Sequence, residues 1–146
     1  MIRTASAVWK GGLKEGTGAL STQSGVFKDQ PYSFQTRFGD ARGTNPEELI
    51  AAAHAGCFTM ALSLFLNNAG LTPERIETAA KLTMEAQGGG FSITAVHLDV
   101  SAKVPGADDA KFQEAARGAK ENCPVSKVLN AKITWMRSSS LADARR

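Results

Sequence analysis

Cys57 and Cys123 are the two thiols of this chain, 66 positions apart, and their chemistry frames the reading of everything around them. Two cysteines allow one intramolecular bridge, and a constitutive structural disulfide is unusual in a cytosolic protein of this size. A redox-active pair is therefore the favoured reading. Metal binding is disfavoured, because two Cys and two His without ligand spacing do not make a tetrahedral set.

Taken alone, a cysteine within an apolar helical segment is most often an inert core residue. The neighbours of Cys57 change that weighting. Ala53 and Gly56 are small and leave room beside it, while Phe58 and Met60 are expected to wall an apolar pocket. Desolvation alone raises a thiol's pKa, so a reactive Cys57 needs a cation nearby, and Arg37 is the candidate. His54 lies three residues before Cys57 on the same helical face, which raises the alternative of a Cys–His pair. No Asn or Asp is obviously placed to orient that imidazole, so a satisfied core histidine is preferred over a base. His97 reads as an ordinary sheet residue.

These side chains need a scaffold, and 146 residues with 42% hydrophobic content suffice for one domain with a core. The expected organisation is a single domain over 1–137 and a flexible, serine-led tail over 138–146. A charged fraction of 21% argues against disorder. The net charge of +3 includes Arg145 and Arg146 at the extreme end, and Lys and Arg are otherwise dispersed without interleaved aromatics, so no nucleic-acid partner is expected. The N-terminus lacks the apolar run of about 7–15 residues that a secretory signal requires, which points to the cytoplasm. Leu49 to Leu66 carries no formal charge and approaches spanning length. Its alanines supply little transfer energy, so a deeply buried soluble helix is expected and no membrane partner.

Along the chain, Ala5 to Trp9 and Ala19 to Thr22 pattern as a strand pair, and alternation at Tyr32, Phe34 and Thr36 predicts a third strand closed by Arg37. Thr44 or Asn45, followed by Pro46 and Glu47-Glu48, is the clearest helix start, with Gly70 and Pro73 as the stop. Alternation from Ile76 to Ala86, the Gly88-Gly89-Gly90 turn, and alternation through Phe91, Ile93, Ala95, His97 and Asp99 predict a two-stranded ribbon, the last positions fitting less well. Asp108 to Asn122 forms a second amphipathic helix whose apolar face is Phe112, Ala115, Ala116 and Ala119. Cys123-Pro124 ends it, before a short helical turn and a last strand over Lys132 to Met136. Strands grouped before and after a central helix imply an α+β fold. A central helix that is apolar all round also implies a partner chain, since one small domain covers only part of it.

The segments Thr36-Arg37-Phe38, Gly43 to Ile50, Ala52-Ala53-His54-Ala55-Gly56-Cys57-Phe58, Met60 to Ser63 and Asn122-Cys123-Pro124-Val125-Ser126 together resemble the OsmC/Ohr hydroperoxide-reductase family, over roughly Trp9 to Trp135. The Ala-Ala-His-Ala-x-Cys-Phe and Cys-Pro-Val-Ser forms resemble its osmotically inducible branch more than its organic hydroperoxide resistance branch. Gly56 stands where an alanine is more usual. The resemblance implies an OsmC-like fold, with an antiparallel sheet around a long buried helix in an intertwined homodimer. It further implies Cys57 as peroxidatic and Cys123 as resolving cysteine, with Arg37 and Glu47 as the polar pair holding thiolate and peroxide. The substrate would be an organic hydroperoxide and the reductant an external dithiol, a lipoyl-type dithiol being a candidate. Phe58 and Met60, with Phe38 as a further candidate, would give an apolar approach to Cys57, from which better reduction of organic hydroperoxides than of hydrogen peroxide is expected. No metal, haem, flavin or other cofactor is required.

Two other functions fit the cysteines. A general dithiol-disulfide oxidoreductase is weakened by the absence of Cys-x-x-Cys spacing. A non-enzymatic ligand-binding dimer would use the cysteines as a sensor or as core. Within the peroxidase reading, ten helical positions separate Glu47 from Cys57 by about 15 Å along the axis and turn them roughly 80° apart. The expectation is that Glu47 and Cys57 of one site come from different chains.

Overall fold

Ser33 sits in extended backbone and accepts the amide of Thr36 on its hydroxyl, while the Thr36 hydroxyl accepts the amide of Ser33, a reciprocal capping box. That local exchange turns the chain into a helix where alternation of Tyr32, Phe34 and Thr36 predicts a strand. In the computed structural model, which describes residues 1–138, the third strand is accordingly three residues long. Arg37 lies in the last turn of a helix instead of closing a strand.

The described chain forms two compact units, Met1–Leu49 and the part from Ile50 onward. The first holds β1 (Ala5–Lys10), β2 (Thr17–Thr22) and β3 (Gln30–Tyr32), an antiparallel sheet in the order β1-β2-β3, then α1 (Phe34–Phe38). Trp9 and Tyr32 bring their rings to 5.5 Å between centroids. They close over Gly18, where a Cβ would lie 2.5 Å from the Tyr32 ring, so only glycine fits. Phe34 and Phe38, one turn apart on α1, pair at 5.0 Å.

α2 (Pro46–Asn68) starts where the sequence predicts: Asn45 Oδ1 accepts the amide of Glu48 at 2.8 Å, and the Thr44 hydroxyl donates to the Glu48 carboxylate. It ends at Gly70, whose φ of 79° suits the left-handed cap. The second unit continues with β4 (Arg75–Gln87), β5 (Gly90–Lys103), α3 (Asp109–Asn122), α4 (Pro124–Val128) and β6 (Lys132–Arg137). Gly88 and Gly89 both have positive φ, as a two-residue hairpin turn needs. The sheet order is β4-β5-β6, and it is mixed and not wholly antiparallel. The connection from β5 to β6 passes through two helices, and such a crossover returns the strand parallel.

Along β5 the apolar side changes parity. Ile93 pairs with Met84 but Ala95 pairs with Thr83, leaving Thr94 as an extra residue on β5. Beyond that extra residue the even positions Val96, Leu98, Val100 and Ala102 face the core, while Phe91 before it is exposed. Ala95, His97 and Asp99 fall on the other face, a one-residue shift that moves every later side chain across the sheet.

The core of the second unit joins those valines and leucines to Phe58, Leu62 and Leu66 of α2 and to Phe112, Ala115, Ala116 and Ala119 of α3. Each large side chain buried there contributes roughly 1.5–3 kcal/mol. Phe65 of α2 packs on Gly118 of α3, where a Cβ would collide with the ring. By length and composition α2 could cross a membrane, yet its Phe58, Leu62, Leu66 stripe is fully enclosed in protein. Within one chain α2 is not buried all round: Met60 is 79% and Leu64 57% exposed, and Ala52, Ala53 and Gly56 are exposed as well. Ser138 donates its amide to Val100. The remainder of the expected tail, 139–146, lies outside the described residues.

Candidate active site

The backbone of Cys123 is set by its successor. A residue before proline is pushed out of the helical region, and Cys123 adopts φ −57° and ψ 121°. α3 therefore stops at Asn122, α4 begins at Pro124, and Cys123 is the corner between them, its carbonyl accepting the amide of Lys127. That corner aims its side chain at the middle of α2. The Sγ atoms of Cys57 and Cys123 lie 2.7 Å apart, both cysteines are free, and Cys123 is fully buried while Cys57 is partly open. A disulfide spans about 2.05 Å, so closing the bridge demands little movement.

Burial pushes the Cys57 thiol above its ordinary pKa, and its hydrogen bond with Cys123 adds to the rise; the backbone amide of Val125 opposes it. One turn earlier, His54 is fully buried and its Nε2 lies 2.7 Å from the Ser126 hydroxyl. Burial lowers the His54 pKa, which favours the neutral ring. The preferred core-histidine reading holds in part, because Nε2 is satisfied while Nδ1 is buried without a partner. His97 is an ordinary sheet residue, its Nδ1 2.7 Å from Thr134 Oγ1 opposite it on β6.

In the first unit, Arg37 and Glu47 form a two-point ion pair. Arg37 Nε donates to Oε1 and Oε2 at 3.0 and 3.2 Å, and Nη2 donates to Oε1 at 2.6 Å. Glu47 stands in the first turn of α2, where a carboxylate is favoured, and its side chain is only 14% exposed. The fork fixes the guanidinium plane and leaves its remaining N–H groups to donate elsewhere. Around it lies a cavity of about 250 Å³ lined by Trp9, Leu13, Tyr32, Phe34 and Phe38 together with Arg37.

Of the residues expected to wall a pocket, Phe58 belongs to the core and Met60 to the exposed surface. The larger open groove of the second unit, about 600 Å³, runs along Ala55, Gly56, Thr59, Met60 and Ser63 against Pro73 to Thr78, and neither sulfur lines it. A Cβ at Gly56 would meet nothing, so glycine is not required there. Among the described residues no cluster of three or more potential metal ligands occurs. Of the cavity beside Arg37 the sequence reading named Phe38 and missed Trp9, Leu13, Tyr32 and Phe34, for which linear pattern offers no signal. It also missed Ser126 as the partner of His54. A signal existed there, since His54 precedes Cys57 by three residues and Ser126 follows Cys123 by three.

The family model described as OsmC-like protein matches residues 39–136. The chain belongs to the OsmC-like family. Peroxiredoxin OsmC of Escherichia coli K12 is 50% identical to this OsmC-like chain over 132 residues, covering 90% of it and 92% of the relative. Organic hydroperoxide resistance protein OhrB of Bacillus subtilis 168 is 31% identical over 131 residues, covering 89% and 92%. The crystal structure of an organic hydroperoxide resistance protein from Elizabethkingia anophelis matches with a TM-score of 0.74 at 26% identity, over 96% of this OsmC-like chain and 99% of that one. The mixed α+β architecture is thus that of solved OsmC/Ohr proteins.

Proposed function

We infer that the chain is a cysteine-based, thiol-dependent hydroperoxide peroxidase. The observation that carries this reading is the sulfur pair: two free cysteines, 66 residues apart, whose Sγ atoms stand 2.7 Å from one another in a chain half identical to a peroxiredoxin. In the proposed cycle the Cys57 thiolate attacks the distal oxygen of ROOH. The O–O bond breaks, the alkoxide takes a proton and leaves as alcohol, and Cys57 becomes a sulfenic acid. Cys123 then attacks Cys57 Sγ, the S–O bond breaks, and hydroxide leaves with the Cys123 proton as water. An external dithiol, for which a lipoyl-type dithiol is the candidate, reduces the resulting disulfide by two exchanges. The cycle requires no metal, haem or flavin.

In this cycle Arg37 supplies the positive charge that a thiolate at Cys57 needs and stabilises the departing alkoxide, while Glu47 holds the guanidinium in plane. In this proposal the enzyme is a soluble cytoplasmic homodimer. The exposed apolar stripe of Ala53, Gly56, Met60 and Leu64 on α2 supports a second copy as its cover, which would make α2 the buried central helix of an intertwined pair.

The aromatic cavity beside Arg37 supports a preference for bulky organic hydroperoxides. Covering roughly 55 Å² of a substrate's apolar surface is worth about 1.4 kcal/mol, or about tenfold in rate. With one saturating dithiol, kcat/KM for cumene hydroperoxide is expected to exceed that for hydrogen peroxide by about that factor. Equal or better efficiency with hydrogen peroxide would refute the preference, and no peroxide-dependent dithiol consumption would refute the function.

A further inference from the structure

Resolution needs Cys123 to hold one position while Cys57 is oxidised; its amide is tied to Ala119 of α3, but the helix that follows it is lightly anchored. α4 is five residues long, none of them buried, and Val128 is 77% exposed. Little apolar burial therefore fixes it on α2. Apart from the sulfur pair and the Val125 amide, the hydrogen bond joining the two among the described residues is His54 to Ser126, at 2.7 Å.

Its placement is matched on both sides. His54 is one helical turn before Cys57, on the same face of α2, and Ser126 lies in the first turn of α4, three residues after Cys123. The bond thus runs beside the sulfur pair and shares its two supporting elements. The His54 ring is fully buried, and its Nδ1 has no partner among the described residues. A buried polar atom without a partner costs stability, and an apolar side chain of similar size would avoid that cost. Packing alone does not account for a histidine here, whereas a fixed acceptor or donor for Ser126 does.

We propose that His54 and Ser126 form a latch that keeps α4 seated on α2, so that Cys123 Sγ stays in line with the S–O bond of oxidised Cys57. They are positioning residues for the disulfide-forming step. In that step Cys123 Sγ bonds to Cys57 Sγ, the S–O bond breaks, and hydroxide departs with the Cys123 proton as water. The latch touches neither peroxide nor the attacking sulfur, so it acts on resolution and not on the first attack. This inference rests on the peroxidase reading above.

Rapid-quench mass spectrometry of the full chain, mixed with one equivalent of cumene hydroperoxide in the presence of dimedone, separates the two steps. Ser126→Ala is expected to lose peroxide at the wild-type rate, within about twofold, while its bridge forms about tenfold to a hundredfold more slowly, the range expected for a group displaced by about 1 Å. Dimedone-trapped Cys57 should rise accordingly. Ser126→Thr, which keeps the hydroxyl, should restore bridging, and His54→Leu should repeat the defect in a protein at least as resistant to urea as the wild type. Bridging at the wild-type rate in both Ser126→Ala and His54→Leu would overturn the latch, as would an equal loss in both steps. A wild-type chain that forms neither sulfenic acid nor bridge would overturn the peroxidase reading with it.

Discussion

Replacing Cys57 with serine is expected to remove turnover altogether, leaving only the background reaction of dithiol with hydroperoxide, whereas Cys123→Ser retains one stoichiometric reduction. The asymmetry follows from order. A hydroxyl at position 57 is a poor nucleophile for peroxide oxygen, so nothing downstream can begin. Without Cys123 the first attack still occurs, and the sulfenic acid persists until an external thiol captures it. Stopped-flow measurement of peroxide loss against enzyme concentration checks both. A Cys123→Ser chain with no first-turnover burst would contradict the assignment of roles.

Loss of Arg37 has the next largest expected effect. Burial holds the Cys57 thiol above its ordinary pKa, and in the proposed cycle Arg37 is the cation that favours the thiolate and meets charge as it develops on the alkoxide. Removing such a donor costs roughly 10²–10³ in rate. For Arg37→Ala the first-step rate at pH 7 should fall by that order and recover in part as the pH is raised, since alkaline solvent deprotonates the thiol without help. Glu47→Ala should lose less, because it frees the guanidinium without deleting it. Mixed dimers of Glu47→Ala and Cys57→Ser chains then test where the pair serves. If Glu47 of one chain supports Cys57 of the other, the mixed dimer regains one intact site and about half of wild-type activity. Verified heterodimers no more active than the Glu47→Ala parent would reject the cross-chain arrangement.

Local chemistry made part of this fold legible. The Asn45 cap, the Gly88-Gly89 turn and the Phe112, Ala115, Ala116, Ala119 face are each specified by neighbouring residues, and each is where the sequence places it. Failure came where two local signals competed or where an element far away decided. Between Tyr32 and Thr36 a strand-like alternation overlies a Ser33–Thr36 capping box, and two hydrogen bonds outweighed a period of two. On β5 the extra residue at Thr94 reverses the parity without any glycine or proline to announce it. The cysteines were legible because their types and surrounding motifs are distinctive. The aromatic cavity around Arg37 was not, because Trp9, Leu13 and Phe34 meet through strand pairing and chain reversal that no linear spacing encodes.

The central claim is that peroxide oxidises Cys57 and that Cys123 closes the cycle. Intact-mass and peptide-mapping mass spectrometry of the reduced chain, after one equivalent of an organic hydroperoxide, tests it most directly. The expected product has lost two hydrogens and yields one cross-linked peptide pair joining Cys57 to Cys123; an unmodified chain, or an oxidation mapping to any residue other than these two, would contradict the account.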